Sequence, residues 1–240
     1  MKPRIAMTAS LEQSPDGLRL HAPVAYAEAV EAAGGLPLVL PPPEDPARAA
    51  ELLGAADGLL LVGGGDLSST LWGEALNPAT RLLHPRRQKA DLALLAAAEE
   101  RGMPVLGICL GCQEVAVHRG GSLIQHLYDD PTVRDHGGGG RPKADHMVMV
   151  EPDSSLARLI GVEPLHVNST HHQAVRDPGR AMRRVAAAED GVIEAIEDVT
   201  GERFFLGVQW HPERLRTEPR HLALFEGLVE AAGAFGMRTG

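Results

Sequence analysis

The sequence predicts an α/β fold, a mostly parallel central sheet with flanking helices, on two observations. Through the first half, short runs rich in Val, Ile and Leu alternate with Ala-rich segments of helical periodicity, the pattern of strands joined by helical crossovers. One of those runs then passes through a glycine-flanked turn, "GICLG", directly into a further helix.

Residues 4–8 are the first strand candidate. Tyr26, Ala29, Val30 and Ala33 follow at i, i+3, i+4 and i+7, one face of a helix that "AGG" terminates. A second strand spans residues 36–40, and "PPPEDP" turns from it into a short helix through Ala49, Leu52 and Leu53. The third strand covers residues 58–62; the helix after it covers about residues 86–100 and is ended by Gly102 and Pro104. Residues 104–108 form the fourth strand, and residues 111–118 the helix beyond the turn. The second half reads as strands over residues 147–151, 164–168, 184–188, 192–197 and 204–208. A closing helix follows "TEP" with Leu222, Phe225 and Val229 on one face. The stretch 125–143, containing "DHGGGG", is the longest loop, and its glycines imply mobility rather than a preset shape. No repeat, linker or low-complexity tract divides the chain, so residues 1–240 are expected to form one domain.

A net charge of −9 argues against a nucleic-acid or anionic-membrane surface, since both require clustered positive charge. No apolar run approaches the roughly 20 residues that span a bilayer, and the opening "MKPRIAMTAS" lacks a leader-like apolar core. A cytoplasmic protein acting on a small molecule is expected. Oligomeric state is left open, a homodimer included.

The chemistry is carried by three stretches. "GICLG" is a G-x-C-x-G turn between strand and helix, the layout of a nucleophile elbow that lifts the Cys109 side chain above the sheet. The helix N-terminus beneath it favours a thiolate, and the N–H of Leu110 is free to face an oxyanion. Cys112, the other cysteine, lies just inside the helix. A redox dithiol fits that context less well than an elbow, and a metal would need further ligands, so Cys112 reads as packing. "GVQWHPE" supplies a base, His211, and an orienting acid, Glu213, after a strand. "LLLVGGGDLSS" ends a strand in three glycines that could complete an oxyanion hole. It lacks the G-x-G-x-x-G of a dinucleotide site, and no cofactor is expected. His118, His126, His136 and His146 lack the short spacings from which ligand geometry is legible, so no metal is expected either.

Together "GICLGCQ", "VNSTHHQAV" and "LGVQWHPE" resemble the class I glutamine amidotransferase-like superfamily, and within it the γ-glutamyl-γ-aminobutyrate hydrolase family. "GLPLVLPP", "GGGD", "ERGMPVLGICLG", "GGSL" and "DGVIEAIE" extend the resemblance over nearly the full length. It implies a flavodoxin-like sheet and a cysteine hydrolase that cleaves γ-glutamyl amides through a γ-glutamyl thioester. Cys109, His211 and Glu213 would form the triad, Gly64 or Gly65 with Leu110 the oxyanion hole, and Gln113, His171 and His172 the pocket border. The alternative is a glutaminase subunit supplying ammonia to a partner synthetase. Two stretches depart from the hydrolase pattern: Leu110 stands where that pattern has arginine, and "NPATRLLHPRRQKADLALL" carries three arginines where the family shows an Arg-Asp pairing. The amine leaving group is therefore not fixed by the motifs.

Overall fold

A computed structural model describes residues 1–239. The chain runs through β1 (Arg4–Met7), a hairpin of β2 (Ser10–Ser14) and β3 (Gly17–His21), α1 (Val24–Ala32), β4 (Leu36–Val39), α2 (Ala49–Leu52) and β5 (Gly58–Leu61). It continues with α3 (Pro85–Glu100), β6 (Val105–Ile108), α4 (Leu110–His118), β7 (Ser122–Ile124), β8 (Ala144–Val150) and α5 (Ser155–Ile160). It closes with β9 (Leu165–Ser169), β10 (Ala174–Asp177), β11 (Met182–Ala188), β12 (Ile193–Asp198), β13 (Phe205–Val208) and α6 (Pro219–Thr239).

The main sheet has the order β4-β1-β5-β6-β13-β12-β11-β8-β9, with β7 and β10 joined to one side through β12. Its first five strands are mutually parallel, as the alternation of strand and helix predicts. From β12 onward every pairing is antiparallel; β11, β12 and β13 follow one another through short connections, whereas β8 and β9 are joined through α5.

Strand alternation divides the core between the two faces. Ile5, Met7, Leu60 and Val62 face α1, α5 and α6, where Tyr26, Leu156, Phe225 and Leu228 are buried. Ala6, Leu59 and Leu61 face α2, α3 and α4, meeting Leu53, Leu94, Leu95 and Val115. The helices stop and start where the sequence has caps. His84 Nδ1 accepts from Arg86 N at 3.1 Å with Pro85 in the first turn of α3, and Ser154 Oγ accepts from Ala157 N at 2.9 Å to open α5. Among the described residues no helix is long and apolar enough to cross a membrane.

Because β5, β6 and β13 are parallel neighbours, the segments after them leave from one edge. The register pairs Gly207 with Gly107 and Val208 with Ile108, so the chain after β13 emerges beside the turn after β6. This carboxyl edge is where open α/β sheets bind ligands.

Candidate active site

Cys109 sits between β6 and α4 with φ 54° and ψ −103°, a conformation that L residues rarely adopt. The flanking glycines permit it: a Cβ on Gly107 would collide with the Gly111 carbonyl, and one on Gly111 with the Leu61 carbonyl. Cys109 lies at the head of α4, whose N-terminal N–H groups favour an anion there. Cys112 is fully buried beside Gly207, where a Cβ would stand 2.9 Å from its sulfur. It fills the space between α4 and β13, and burial pushes its thiol well above the usual range.

His211 follows β13, and its Nδ1 donates to Glu213 Oε1 at 2.9 Å. The Tyr26 hydroxyl lies 3.3 Å from the same nitrogen and accepts from Gly63 N at 3.0 Å. Asn168, at the end of β9, grips the His211 backbone twice: its Oδ1 accepts from His211 N at 2.8 Å and its Nδ2 donates to His211 O at 2.9 Å. Burial works against the imidazolium, but the charge of Cys109, a hydrogen bond to it and then Glu213 outweigh burial and raise His211 to about 9. Gln209 Nε2 points at Cys109 Sγ across 3.6 Å while its Oε1 accepts from Gln113 Nε2 at 3.1 Å.

The glycine loop after β5 is held from below by Arg87, whose side chain is 2% exposed. Its Nη2 donates to Val62 O and Gly63 O at 3.0 and 3.1 Å, its Nη1 to Ser10 Oγ, and its Nε to Asp91 Oδ2 at 3.0 Å. An Arg-Asp pairing is thus present within "NPATRLLHPRRQKADLALL" after all, as Arg87–Asp91, one helical turn apart. Gly63 N is committed to Tyr26, whereas the N–H groups of Gly64 and Gly65 make no hydrogen bond among the described residues.

Cys109 opens onto a cleft of about 180 Å³ lined in part by Gly64, Gly65, Asp66, Arg81, Gln113 and His172. Larger clefts lie elsewhere, such as one of about 660 Å³ beside Arg101 and Arg203. The smaller cleft is singled out by its nucleophile, not its size. His171 and His172 do border it, but their side chains are anchored: His171 Nδ1 donates to Gln173 O at 2.9 Å, and His172 Nε2 meets Asp66 Oδ2 at 3.0 Å. Gln113 likewise spends its amide on Gln173 O and Gln209. The Arg81 guanidinium is exposed at the rim and makes no ion pair among the described residues.

The "DHGGGG" segment packs closely against its neighbours in the structure. Gly137 to Gly140 take φ values of 65°, 70°, 58° and 95°, four successive left-handed residues. They are seated against the loop before β10, since a Cβ on Gly138 would stand 2.7 Å from Thr170 O and one on Gly139 3.0 Å from the His172 side chain.

The four spaced histidines separate. His118 pairs with Glu99 at 2.7 Å and His126 with His172 at 2.9 Å. His136 and His146 instead meet His171 around Glu194, whose side chain is fully buried. Sequence reasoning also missed Tyr26, Arg81, Arg87, Asn168 and Gln209, each brought to the site by folding rather than by spacing from the nucleophile.

Comparison with known proteins follows the same edge of the sheet. Residues 5–213 match the family model described as Peptidase C26. A Mycobacterium tuberculosis protein provisionally named a glutamine amidotransferase is 39% identical over 99% of this chain and 77% of its own. The γ-glutamyl-γ-aminobutyrate hydrolase PuuD of Escherichia coli K12 is 34% identical over 86% of this chain and 84% of its own. A solved structure from Thermoplasma acidophilum, provisionally titled as one component of a GMP synthase, shares the fold at TM-score 0.68 and 15% identity, covering 100% of this chain and 98% of its own.

Proposed function

The chain belongs to the Peptidase C26 family, and on that premise we propose that it hydrolyses γ-glutamyl amide bonds with Cys109 as nucleophile. The observation that carries the reading is the buried line from the strained Cys109 through His211 to Glu213 at the carboxyl edge of the parallel strands.

In the proposed cycle the Cys109 thiolate attacks the γ-carbonyl carbon, and the oxyanion is received by the N–H groups of Leu110 and Gly64 or Gly65. The C–N bond breaks as the His211 imidazolium gives its proton to the departing amine, leaving a γ-glutamyl thioester on Cys109. Neutral His211 then takes a proton from water, whose oxygen attacks the thioester carbon. The C–S bond breaks, glutamate leaves, and the thiolate and imidazolium are restored. Glu213 fixes which imidazole nitrogen carries its proton, leaving the other for Cys109 and substrate.

The γ-glutamyl group bears an α-carboxylate, and the unpaired Arg81 guanidinium at the rim is the cation that would meet it. The test is a hydrolysis screen over γ-glutamyl amines, γ-glutamyl peptides and free glutamine, with Cys109→Ala as blank. Turnover of γ-glutamyl amines or peptides that Cys109→Ala abolishes is expected. Activity confined to glutamine and dependent on an added synthetase, or wild-type turnover by Cys109→Ala, would overturn it.

A further inference from the structure

We propose that His136, His146 and Glu194 form a buried site for one divalent cation of the zinc type, outside the Cys109 machinery, with His171 beside it. Segments distant in sequence supply it. His136 comes from the long loop before β8, His146 from β8 and Glu194 from β12, and His171 approaches Glu194 from the turn before β10. Around Glu194 Oε1 stand His146 Nε2 at 3.0 Å, His136 Nδ1 at 3.3 Å and His171 Nε2 at 3.5 Å.

The ligand atoms of His136, His146 and Glu194 lie within 4.8 Å of one another; metal bonds of about 2.0–2.2 Å set neighbouring ligand atoms roughly 3.3–3.5 Å apart, so a small inward shift would close the three around one ion. Hydrogen bonding does not account for the cluster: the facing atoms of His136, His146 and His171, and both Glu194 oxygens, are buried without a hydrogen-bond partner. The outward nitrogens explain why. His136 Nε2 faces the Asp190 carboxylate at 3.0 Å, and a carboxylate only accepts, so that nitrogen carries the proton. His171 Nδ1 faces the Gln173 carbonyl at 2.9 Å and must donate as well. In their neutral forms both rings therefore aim lone pairs at an anionic oxygen, with His136 and His171 ring centres only 4.9 Å apart.

A cation at the centre relieves that repulsion, as does a single proton shared between His136 and Glu194; protons on both rings would set two imidazolium charges side by side, at a large desolvation cost. A borderline cation suits two imidazoles and one carboxylate, and the outward bond from His136 to Asp190 is the support that metal-binding histidines usually have. The fourth position of a tetrahedral set would fall to a water or to His171, 3.5 Å from Glu194 Oε1. The ion's effect would be to fasten the long loop and the His171–His172 turn, hence one wall of the Cys109 cleft, to the antiparallel half of the sheet.

The experiment is metal analysis of the full chain purified without chelator, followed by chelator treatment and titration of the apo protein with cobalt(II). The expected result is about one zinc per chain, tetrahedral cobalt absorption in the visible, and a melting temperature that falls on chelation and returns with zinc. Glu194→Gln and His136→Ala should abolish the cobalt spectrum, and Asp190→Asn should weaken binding by about 10–100-fold. The exposed His166→Ala should leave it unchanged. Metal-free protein that gives no cobalt spectrum overturns the proposal. So does binding that survives both Glu194→Gln and His136→Ala. Should those variants not fold, the wild-type spectrum and the Asp190→Asn titration decide alone, unaltered affinity in the latter counting against the site.

Discussion

Asn168→Ala removes both hydrogen bonds that hold the His211 backbone while leaving every group of the proposed triad in place. The two losses are unequal. His211 O retains Arg214 N at 3.2 Å, but His211 N has no other acceptor. A lost bond costs about 0.5–1.5 kcal/mol and an unsatisfied donor about 1–3 kcal/mol; with Asn168 half-buried, water recovers part of this, and about 2 kcal/mol is expected. For a chain of this size that lowers the melting temperature by about 4–8 °C. The larger effect is on rate. An imidazole freed to move by about 1 Å costs on the order of 100-fold, and because His211 serves both halves of the proposed cycle, acylation and hydrolysis of the proposed thioester should slow together while KM changes little. The assay pairs steady-state hydrolysis of a γ-glutamyl amine with stopped-flow acylation and thermal unfolding. Asn168→Asp keeps the acceptor for His211 N but turns an anion toward His211 O, and should fall between wild type and Asn168→Ala. A variant that melts lower yet turns over at the wild-type rate would show that the clamp steadies the fold and not the imidazole.

Three further outcomes follow from the same geometry. His211, raised from 6.5 to about 9, prefers the imidazolium by about 3 kcal/mol; activity should fall as pH rises through about 9, and Glu213→Gln should bring that fall to lower pH in a kcat/KM profile. The linked stability has the same sign: it is fully present below 6.5 and lost as pH rises through about 9, so chemical denaturation across that window should show a decline that His211→Gln lacks. Arg81→Gln removes a charge-assisted contact worth about 1.5–3 kcal/mol, and should raise KM by about 10–100-fold with kcat little changed; an unaltered KM would remove Arg81 from substrate recognition. An electrophilic glutamine analogue should label Cys109 alone by peptide mass mapping, and Cys112→Ala should label normally while losing about 1 kcal/mol of stability.

The parallel half of the fold was legible because buried strands and crossover helices leave strong, short-range patterns. The alternation of Leu59 and Leu61 with Leu60 and Val62 matches the two faces of the sheet. The β2–β3 hairpin was not, although "SPDG" is a turn signal: its residues are mostly exposed, so neither strand carries an apolar stripe. β7, β10 and α5 were missed because three, four and six residues give too short a window for either period. At the proposed site, Cys109 and His211 each follow a strand and Glu213 stands two residues beyond His211, so the three could be nominated from local spacing. Tyr26, Arg87 and Asn168 could not, because each looks like an ordinary face or cap until the sheet order places it. The grouping of His136, His146 and His171 around Glu194 likewise joins segments far apart in the chain, and no linear spacing announces it.

The left-handed run at Gly137 to Gly140 has a consequence in chirality. Positive φ at each of the four lies in the region that L side chains rarely adopt, so an L side chain at any of them works against the backbone. At Gly140 an L Cβ meets open space, so Gly140→Ala should loosen the wall of the cleft through backbone strain alone. The achiral stretch thus makes handedness, alongside size at Gly137 to Gly139, a property to which this wall of the cleft is sensitive.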